Sequence, residues 1–236
     1  MGKTMKLFKW LSLILFFSCI DMIPQTSFYN SLHFQGGSWM ETARMGSIKM
    51  GASSNDYTLQ FWVSGEEVTT TDAPAFFSLI DPQDSVKLAL FRNPHEASAI
   101  NTVVNHTTQI ETTINGLDWF DPDKFYLISI LFSDSRGVRG YKNSTLFLDS
   151  LILVEVDDTK LMIGVKANEQ RTILNNFWYG YMDEIRLWNT WLADSTIQFQ
   201  AEHPDKFGEF YRYTDVDGVE IQTYLDSLIG LWRFNL

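Results

Sequence analysis

Tyr57-Thr-Leu59-Gln-Phe61-Trp-Val63 alternates apolar and polar side chains until Trp62, as a strand with one buried face should. Val86-Lys-Leu88-Ala-Leu90-Phe-Arg92 repeats the pattern. A helix would space its apolar residues three and four apart instead. Outward from these two segments, short β-rich runs recur at 75–80, 99–104, 109–114, 125–132, 145–148, 151–156, 161–165 and 177–188. Turn formers separate them: Gly36-Gly37, Ser53-Ser54-Asn55-Asp56, Asp81-Pro82, Asn93-Pro94, Asp121-Pro122-Asp123 and Asp157-Asp158. Many short strands at close spacing predict an all-β sandwich of antiparallel sheets. The run 125–132 is apolar on both faces and predicts a central strand covered on each side. Leu146-Phe-Leu-Asp149-Ser150-Leu-Ile-Leu reads as a hairpin turning at Asp149-Ser150. One short helix is expected towards the C-terminal side, over 195–202, with the Asp194 carboxylate capping its first turn. Beyond it, 209–225 reads as a second hairpin around Asp217-Gly218.

Composition narrows the function classes. The chain has 236 residues, 45 % hydrophobic and 20 % charged, with 8 Trp, 9 Tyr and 18 Phe, enough apolar surface for a substantial core. A net charge of −11 repels a phosphate backbone, so no nucleic-acid partner is expected. One Cys and four His exclude a disulfide scaffold, a cysteine-rich zinc site and an iron–sulfur centre. Residues 1–18 differ from the rest: Lys3, Lys6 and Lys9 precede the apolar run Trp10 to Phe17, which is too short to span a bilayer but has signal-peptide form. Phe16-Phe17-Ser18-Cys19 resembles a bacterial lipobox, which implies lipidation of Cys19 and a cell-envelope protein held at the outer membrane or cell surface. Phe16 stands where Leu is usual. Plain secretion and an uncleaved anchor are the alternatives. Removing the leader leaves 15 basic against 29 acidic residues, a net charge of −14. The expected organisation is a signal peptide at 1–18, a tether at 19–30, a sandwich at 31–202, and a C-terminal hairpin and strand at 203–236. Leu228-Ile-Gly230-Leu-Trp232-Arg-Phe234 either closes the same sandwich edge or begins a truncated second module.

Three segments carry a family resemblance: Leu161-Met-Ile-Gly164, Tyr179-Gly180-Tyr-Met-Asp183-Glu184-Ile-Arg186-Leu-Trp188-Asn189, and Leu192-Ala-Asp194-Ser-Thr-Ile197. Together they resemble the closing strands and short helix of laminin-G-like domains in the concanavalin A-like lectin/glucanase superfamily. Leu32–Trp39 looks like that family's opening strand, Tyr57–Val63 like its Phe-Trp-Val strand, and Phe125–Leu153 like its central strand plus hairpin. The resemblance implies a jelly-roll sandwich of two antiparallel sheets over roughly Ser31–Ala201. It allows one cofactor, a structural calcium, for which Asp183 is the matching rim carboxylate. Some relatives bind glycans, others proteins, so the fold leaves the function open.

Catalytic constellations are weak. The nearest approach to the paired carboxylates of a glycosidase is Glu155-Val-Asp157-Asp-Thr-Lys160, where Lys160 replaces the second Glu. Asp118, Asp121 and Asp123 surround Pro122 and read as a solvated loop; Asp215-Val-Asp217-Gly218 lacks the later Glu of a calcium loop. His33, His95, His106 and His203 are scattered. Glu184 and Arg186, at i,i+2, read as a surface ion pair. Aromatic side chains remain, since sugar rings stack on exposed Trp and Tyr. Trp62, Trp178, Tyr179 and Tyr181 are the leading platform candidates, with Trp39, Trp119 and Trp191 behind them. The reading that follows is a non-catalytic binding or adhesion module for a glycan or surface protein. A glycoside hydrolase or lyase, and a structural component of an envelope assembly, are the alternatives.

Overall fold

A computed structural model describes residues 31–44, 55–65, 73–83, 85–93, 99–105, 108–113, 124–156, 158–167, 174–204, 212–214, 220–222 and 227–232. The leader, Cys19, the tether, Asp118, Trp119, Asp121, Asp123, Asp157, Asp215 and Asp217 lie outside the described residues. In chain order the strands are β1 (Leu32–Gln35), β2 (Met40–Arg44), β3 (Asp56–Gly65), β4 (Ala75–Ile80), β5 (Val86–Arg92) and β6 (Ala99–Val104). There follow β7 (Thr108–Thr113), β8 (Tyr126–Ser133), β9 (Gly137–Lys142), β10 (Thr145–Ser150), β11 (Lys160–Ile163), β12 (Lys166–Ala167), β13 (Leu174–Asn175) and β14 (Tyr179–Trp188). The helix α1 (Asp194–Glu202) precedes β15 (Arg212–Thr214), β16 (Glu220–Gln222) and β17 (Leu228–Trp232). Two antiparallel sheets form a jelly-roll sandwich: β1-β14-β3-β8-β9-β10, with β17 also on β14, and β2-β11-β4-β5-β6-β7.

The core follows the period-two reading. Tyr57, Leu59, Phe61 and Val63 of β3 and Ile128, Ile130 and Phe132 of β8 meet Phe77, Leu79, Leu88 and Leu90 from the opposite sheet. The other face of β3 is not open, however: every residue of that strand is buried. Helix α1 covers this outer face, packing Ile197 with Leu131, Tyr141 and Trp188, and Ala201 with Trp62 and Leu127. Two polar side chains beneath the cover are hydrogen-bonded. Gln60 donates from Nε2 to Ser129 Oγ at 3.0 Å and accepts from Trp188 Nε1 at 2.8 Å. Thr58 donates to the Thr190 carbonyl at 2.7 Å. The strand β8 is central, as its two apolar faces predict, between β3 and β9.

Two local expectations are corrected. The hairpin turns at Asn143-Ser144, joining β9 to β10, and Asp149 and Ser150 lie inside β10. Asn143 takes the left-handed conformation (φ +52°) and its Oδ1 accepts the Leu127 N–H at 2.9 Å, which anchors the turn. Asp194 does not cap α1. Ala193 occupies the cap position without a side-chain bond, and Asp194 instead accepts from Tyr141 Oη at 2.8 Å. Asp194 is the first residue of the helix itself, one position past the cap.

The strand β14 carries the decisive irregularity. Asp183 pairs with Trp62 and Arg186 with Gln60, so three steps along β14 match two along β3. This is a β-bulge. Glu184 has φ +44°, and the Asp183 Oδ1 accepts its N–H at 2.7 Å. Strict alternation after Met182 would aim Glu184 and Arg186 into the core. The extra residue shifts the phase, so Ile185 and Leu187 join Met182 there. The Glu184–Arg186 ion pair forms as read, but it is buried rather than at the surface, with Arg186 0 % exposed. The bulge also divides one edge of β14. β1 pairs with Tyr179–Met182 and β17 with Ile185–Trp188, both opposite the β3 side.

Arg186→Ala should destabilise the fold by about 3–5 kcal/mol, because it strands a buried carboxylate. The double change Glu184→Gln with Arg186→Met should cost clearly less; equal losses in denaturant melts would show that the ion pair is not what matters. At Gly164 (φ +79°) an added Cβ would lie 2.5 Å from the Phe34 ring. Gly164→Ala should therefore lower stability by about 2 kcal/mol or more, and an unchanged melting temperature would refute that close packing.

Candidate functional site

Residues named from sequence as sugar platforms separate into two groups. Trp62 and Trp178 are 0 % and 1 % exposed and present no face to a ligand. Trp62 lies under α1 with Leu127 and Ala201. Trp178 is in the main core, its ring 4.4 Å from that of Phe76. Both are apolar enough to be worth more inside than out. Tyr179 and Tyr181 are half-buried on the outer face of β14. Tyr181 stacks on His33 of β1 at 4.3 Å and 12°, and Gln35 Nε2 lies 3.3 Å from His33 Nδ1. The Tyr179 ring lies against Gly36, where an added Cβ would come within 2.3 Å. Beyond them Trp39, 41 % exposed, leans on Phe177. This aromatic edge marks one end of the sandwich.

The other end holds a charged pocket of about 360 Å³, lined by Asp81, Pro82, Gln83, Lys87, Asp134, Glu155 and Val156. It lies roughly 25 Å from the aromatic edge, measured as strand rise along β3. Three connections build it. The β4–β5 turn supplies Asp81, whose Oδ1 accepts the N–H groups of Gln83 at 2.9 Å and Ser85 at 2.7 Å, a turn an aspartate stabilises unaided. The β8–β9 turn supplies Asp134, held by the Asn55 amide. The extended segment after β10 supplies Glu155. Lys87 Nζ spans the floor, 3.1 Å from Glu155 Oε2 and 3.6 Å from Asp81 Oδ2.

Behind the pocket the rim is stiffened by further charge pairs. Asp56 is buried, accepts from Ser133 Oγ at 2.6 Å and meets Arg136 Nε at 3.5 Å. Arg136 and Arg139 both lie against the Trp191 ring, 5.7 and 5.8 Å from its centroid. Burial and the bond to Asp194 push the Tyr141 phenol up to about 12, so it stays a neutral donor.

Chemically, the pocket offers carboxylates, an amide and an ammonium at short range to a small polyhydroxylated ligand, and 360 Å³ is at the small end of ligand-site volumes. Its carboxylates are spread around the wall. Among the described residues no group of three or more His, Cys, Asp or Glu lies close enough to hold a metal ion. Asp183, expected at the rim, is buried in the middle of β14, with one oxygen bound to the Glu184 N–H. Of the carboxylates weighed for catalysis, Glu155 lines the pocket, while Lys160, in the place of the second acid, pairs with Glu41. Asp81, Lys87 and Asp134 were not singled out from the sequence. Turn chemistry at Asp81-Pro82 and the polar position of Lys87 in an alternating strand were the only signals, and neither says which loops converge.

Comparisons agree with this architecture. The family model described as Concanavalin A-like lectin/glucanases superfamily, of laminin G type, matches residues 35–198. No curated protein matches the chain. Among solved structures, a native heptameric SAP-like pentraxin from Limulus polyphemus superposes with TM-score 0.54 at 12 % identity, covering 72 % of this chain and 80 % of that one. The Ruminococcus gnavus IT-sialidase CBM40 bound to alpha2,3 sialyllactose gives TM-score 0.53 at 10 % identity, over 73 % of this chain and 96 % of that one. A Trypanosoma rangeli sialidase in complex with 2,3-difluorosialic acid gives 0.57 at 16 % identity, over 76 % of this chain but only 28 % of the sialidase. At such identities the likeness is one of fold. With the strands β2 to β14, the bulge included, inside the matched residues 35–198, the chain belongs to the concanavalin A-like lectin/glucanases superfamily.

Proposed function

We propose that the protein is a non-catalytic carbohydrate-binding module of the cell envelope, with the pocket between the β4–β5 and β8–β9 turns as its glycan site. The observation that carries this is the pocket's lining: Asp81, Gln83, Lys87, Asp134 and Glu155 around about 360 Å³. Planar carboxylates and amides accept or donate pairs of hydrogen bonds, which suits neighbouring hydroxyls on one sugar ring. The β8–β9 turn is pinned by Asn55, Asp56 and Ser133 and the β4–β5 turn by Asp81, so little is lost in ordering them on binding. Superfamily membership and the fold shared with a module solved with sialyllactose support the same reading. Tyr179 and Tyr181, beside His33, are a second surface on which a longer glycan can stack.

Lys160, where a glycosidase of this fold would carry its second Glu, supports a binding rather than a hydrolytic role. Anchoring is proposed through Cys19. A basic leader, an apolar run and a single cysteine at its end support this reading of Cys19 as the acylated first residue of the mature chain. A tether of about a dozen residues then separates that lipid from the sandwich.

Glycan-array screening of the chain lacking residues 1–18, followed by calorimetry on hits, should detect a sugar ligand released unchanged. Asp134→Ala should weaken it at least about tenfold, the loss of a charged hydrogen-bond partner, while Tyr181→Ala should act mainly on longer glycans. Loss on Tyr181→Ala alone would move the site to the aromatic edge, and reducing-sugar release abolished by Glu155→Gln would make the protein an enzyme. Failure to retain any glycan, with one protein co-purifying, would favour a structural role. Cys19→Ser should abolish incorporation of labelled fatty acid and release the protein from the membrane fraction. Unchanged labelling would refute the anchor.

A further inference from the structure

The charge of the pocket bears on which sugars it accepts. Its described lining sets three carboxylates, Asp81, Asp134 and Glu155, against one ammonium, Lys87. At neutral pH that is a net charge of −2 for those groups. The ammonium is already committed: its Nζ lies 3.1 Å from Glu155 and 3.6 Å from Asp81. Asp81 cannot swing aside, since its Oδ1 holds two backbone N–H groups. Asp134 is tied to Asn55. The arginines behind the rim do not offset this field, because Arg136 faces Asp56 at 3.5 Å and Arg139 faces Asp149 at 3.3 Å and Asp194 at 3.6 Å. Beyond the rim the whole chain is acidic, at −11, so the long-range potential has the same sign.

A ligand carboxylate entering this pocket must sit beside Asp134 and Glu155, and the nearest ammonium is shared with the protein's own acids. A protonated ligand amine meets the reverse situation and can take one of those carboxylates as its partner. A neutral sugar uses only hydroxyl contacts. We infer that the pocket sorts glycans by charge, binding amino sugars more tightly than neutral sugars and neutral sugars more tightly than sialic or uronic acids. Exclusion of the anion is the discriminating part, because specificity rests as much on repulsion of the wrong ligand as on attraction of the right one. The inference rests on the reading of this pocket as the glycan site, and it separates this chain from the fold neighbour solved with sialyllactose. Two lining charges at roughly 5 Å, in water and physiological salt, correspond to about fivefold in affinity per unit of ligand charge.

The test uses the chain lacking residues 1–18 with glucosamine, glucose and glucuronic acid, and with lactose against sialyllactose. Affinities are read by NMR titration at about pH 6, where a sugar amine is protonated. The expected order is amine over neutral over acid, in steps of about fivefold, and the spread should contract on raising the salt to about 1 M. Glu155→Gln should narrow the spread and Lys87→Met should widen it. Sialyllactose binding as tightly as lactose would overturn the inference while leaving the glycan reading intact. So would an order unmoved by either substitution. If no sugar of any charge binds, the glycan reading falls and takes this inference with it.

Discussion

The bulge at Asp183-Glu184 is the constraint on which the sandwich depends. β14 pairs with β3 on one side and with two short strands on the other. Its sequence, Met182-Asp-Glu-Ile-Arg-Leu187, cannot satisfy a two-residue period. Regular pleating would either bury Glu184 and Arg186 between the sheets and turn Ile185 and Leu187 outward, or bury Asp183 and turn Met182 outward. Each would cost several kcal/mol, from buried charge and lost apolar burial together. One extra residue resolves the conflict locally, and the Asp183 side chain holds the backbone in the required shape.

The consequences spread from that point. Because the strand bends there, its outer edge is divided, and residues from opposite ends of the chain, Leu32–Gln35 and Leu228–Trp232, complete the same sheet. Arg186 emerges on the outer face and is buried there, as are Trp62, Trp188 and Gln60, and α1 with Leu192 covers the two tryptophans. The outer layer is thus a second, smaller core with an internal polar network, which is why β3 and β8 are buried on both sides. Stiffening of the β3 start by Asp56, Ser133 and Asn189 then fixes the rim on which the pocket stands.

Much of the fold was legible because strand periodicity is local. Tyr57 to Val63 and Val86 to Arg92 reveal their inner faces directly, and 125–132 reveals that it is covered twice. What escaped were elements whose local signals conflict. β9, Gly137-Val-Arg-Gly-Tyr-Lys, has two glycines and two cations and looks like a loop, yet it pairs along its whole length with β8 and β10. Gly140 is required there by the Phe147 ring, 2.7 Å from where a Cβ would lie. That ring is a long-range neighbour only after the hairpin has formed.

By itself the sequence determined the class of fold, the acidity of the surface, and the candidate anchor at Cys19, since each follows from composition or from residues close together in the chain. Only the tertiary structure decided which aromatics meet solvent. Local pattern does not separate Trp62 and Trp178 from Tyr179 and Tyr181 as platforms, and it took α1 and the opposite sheet to bury the first pair. The tertiary structure also decided where Asp81, Lys87, Asp134 and Glu155 converge. These residues come from a strand end, a strand and two connections separated by dozens of positions, and no local propensity specifies which turns a closed sandwich brings to the same rim.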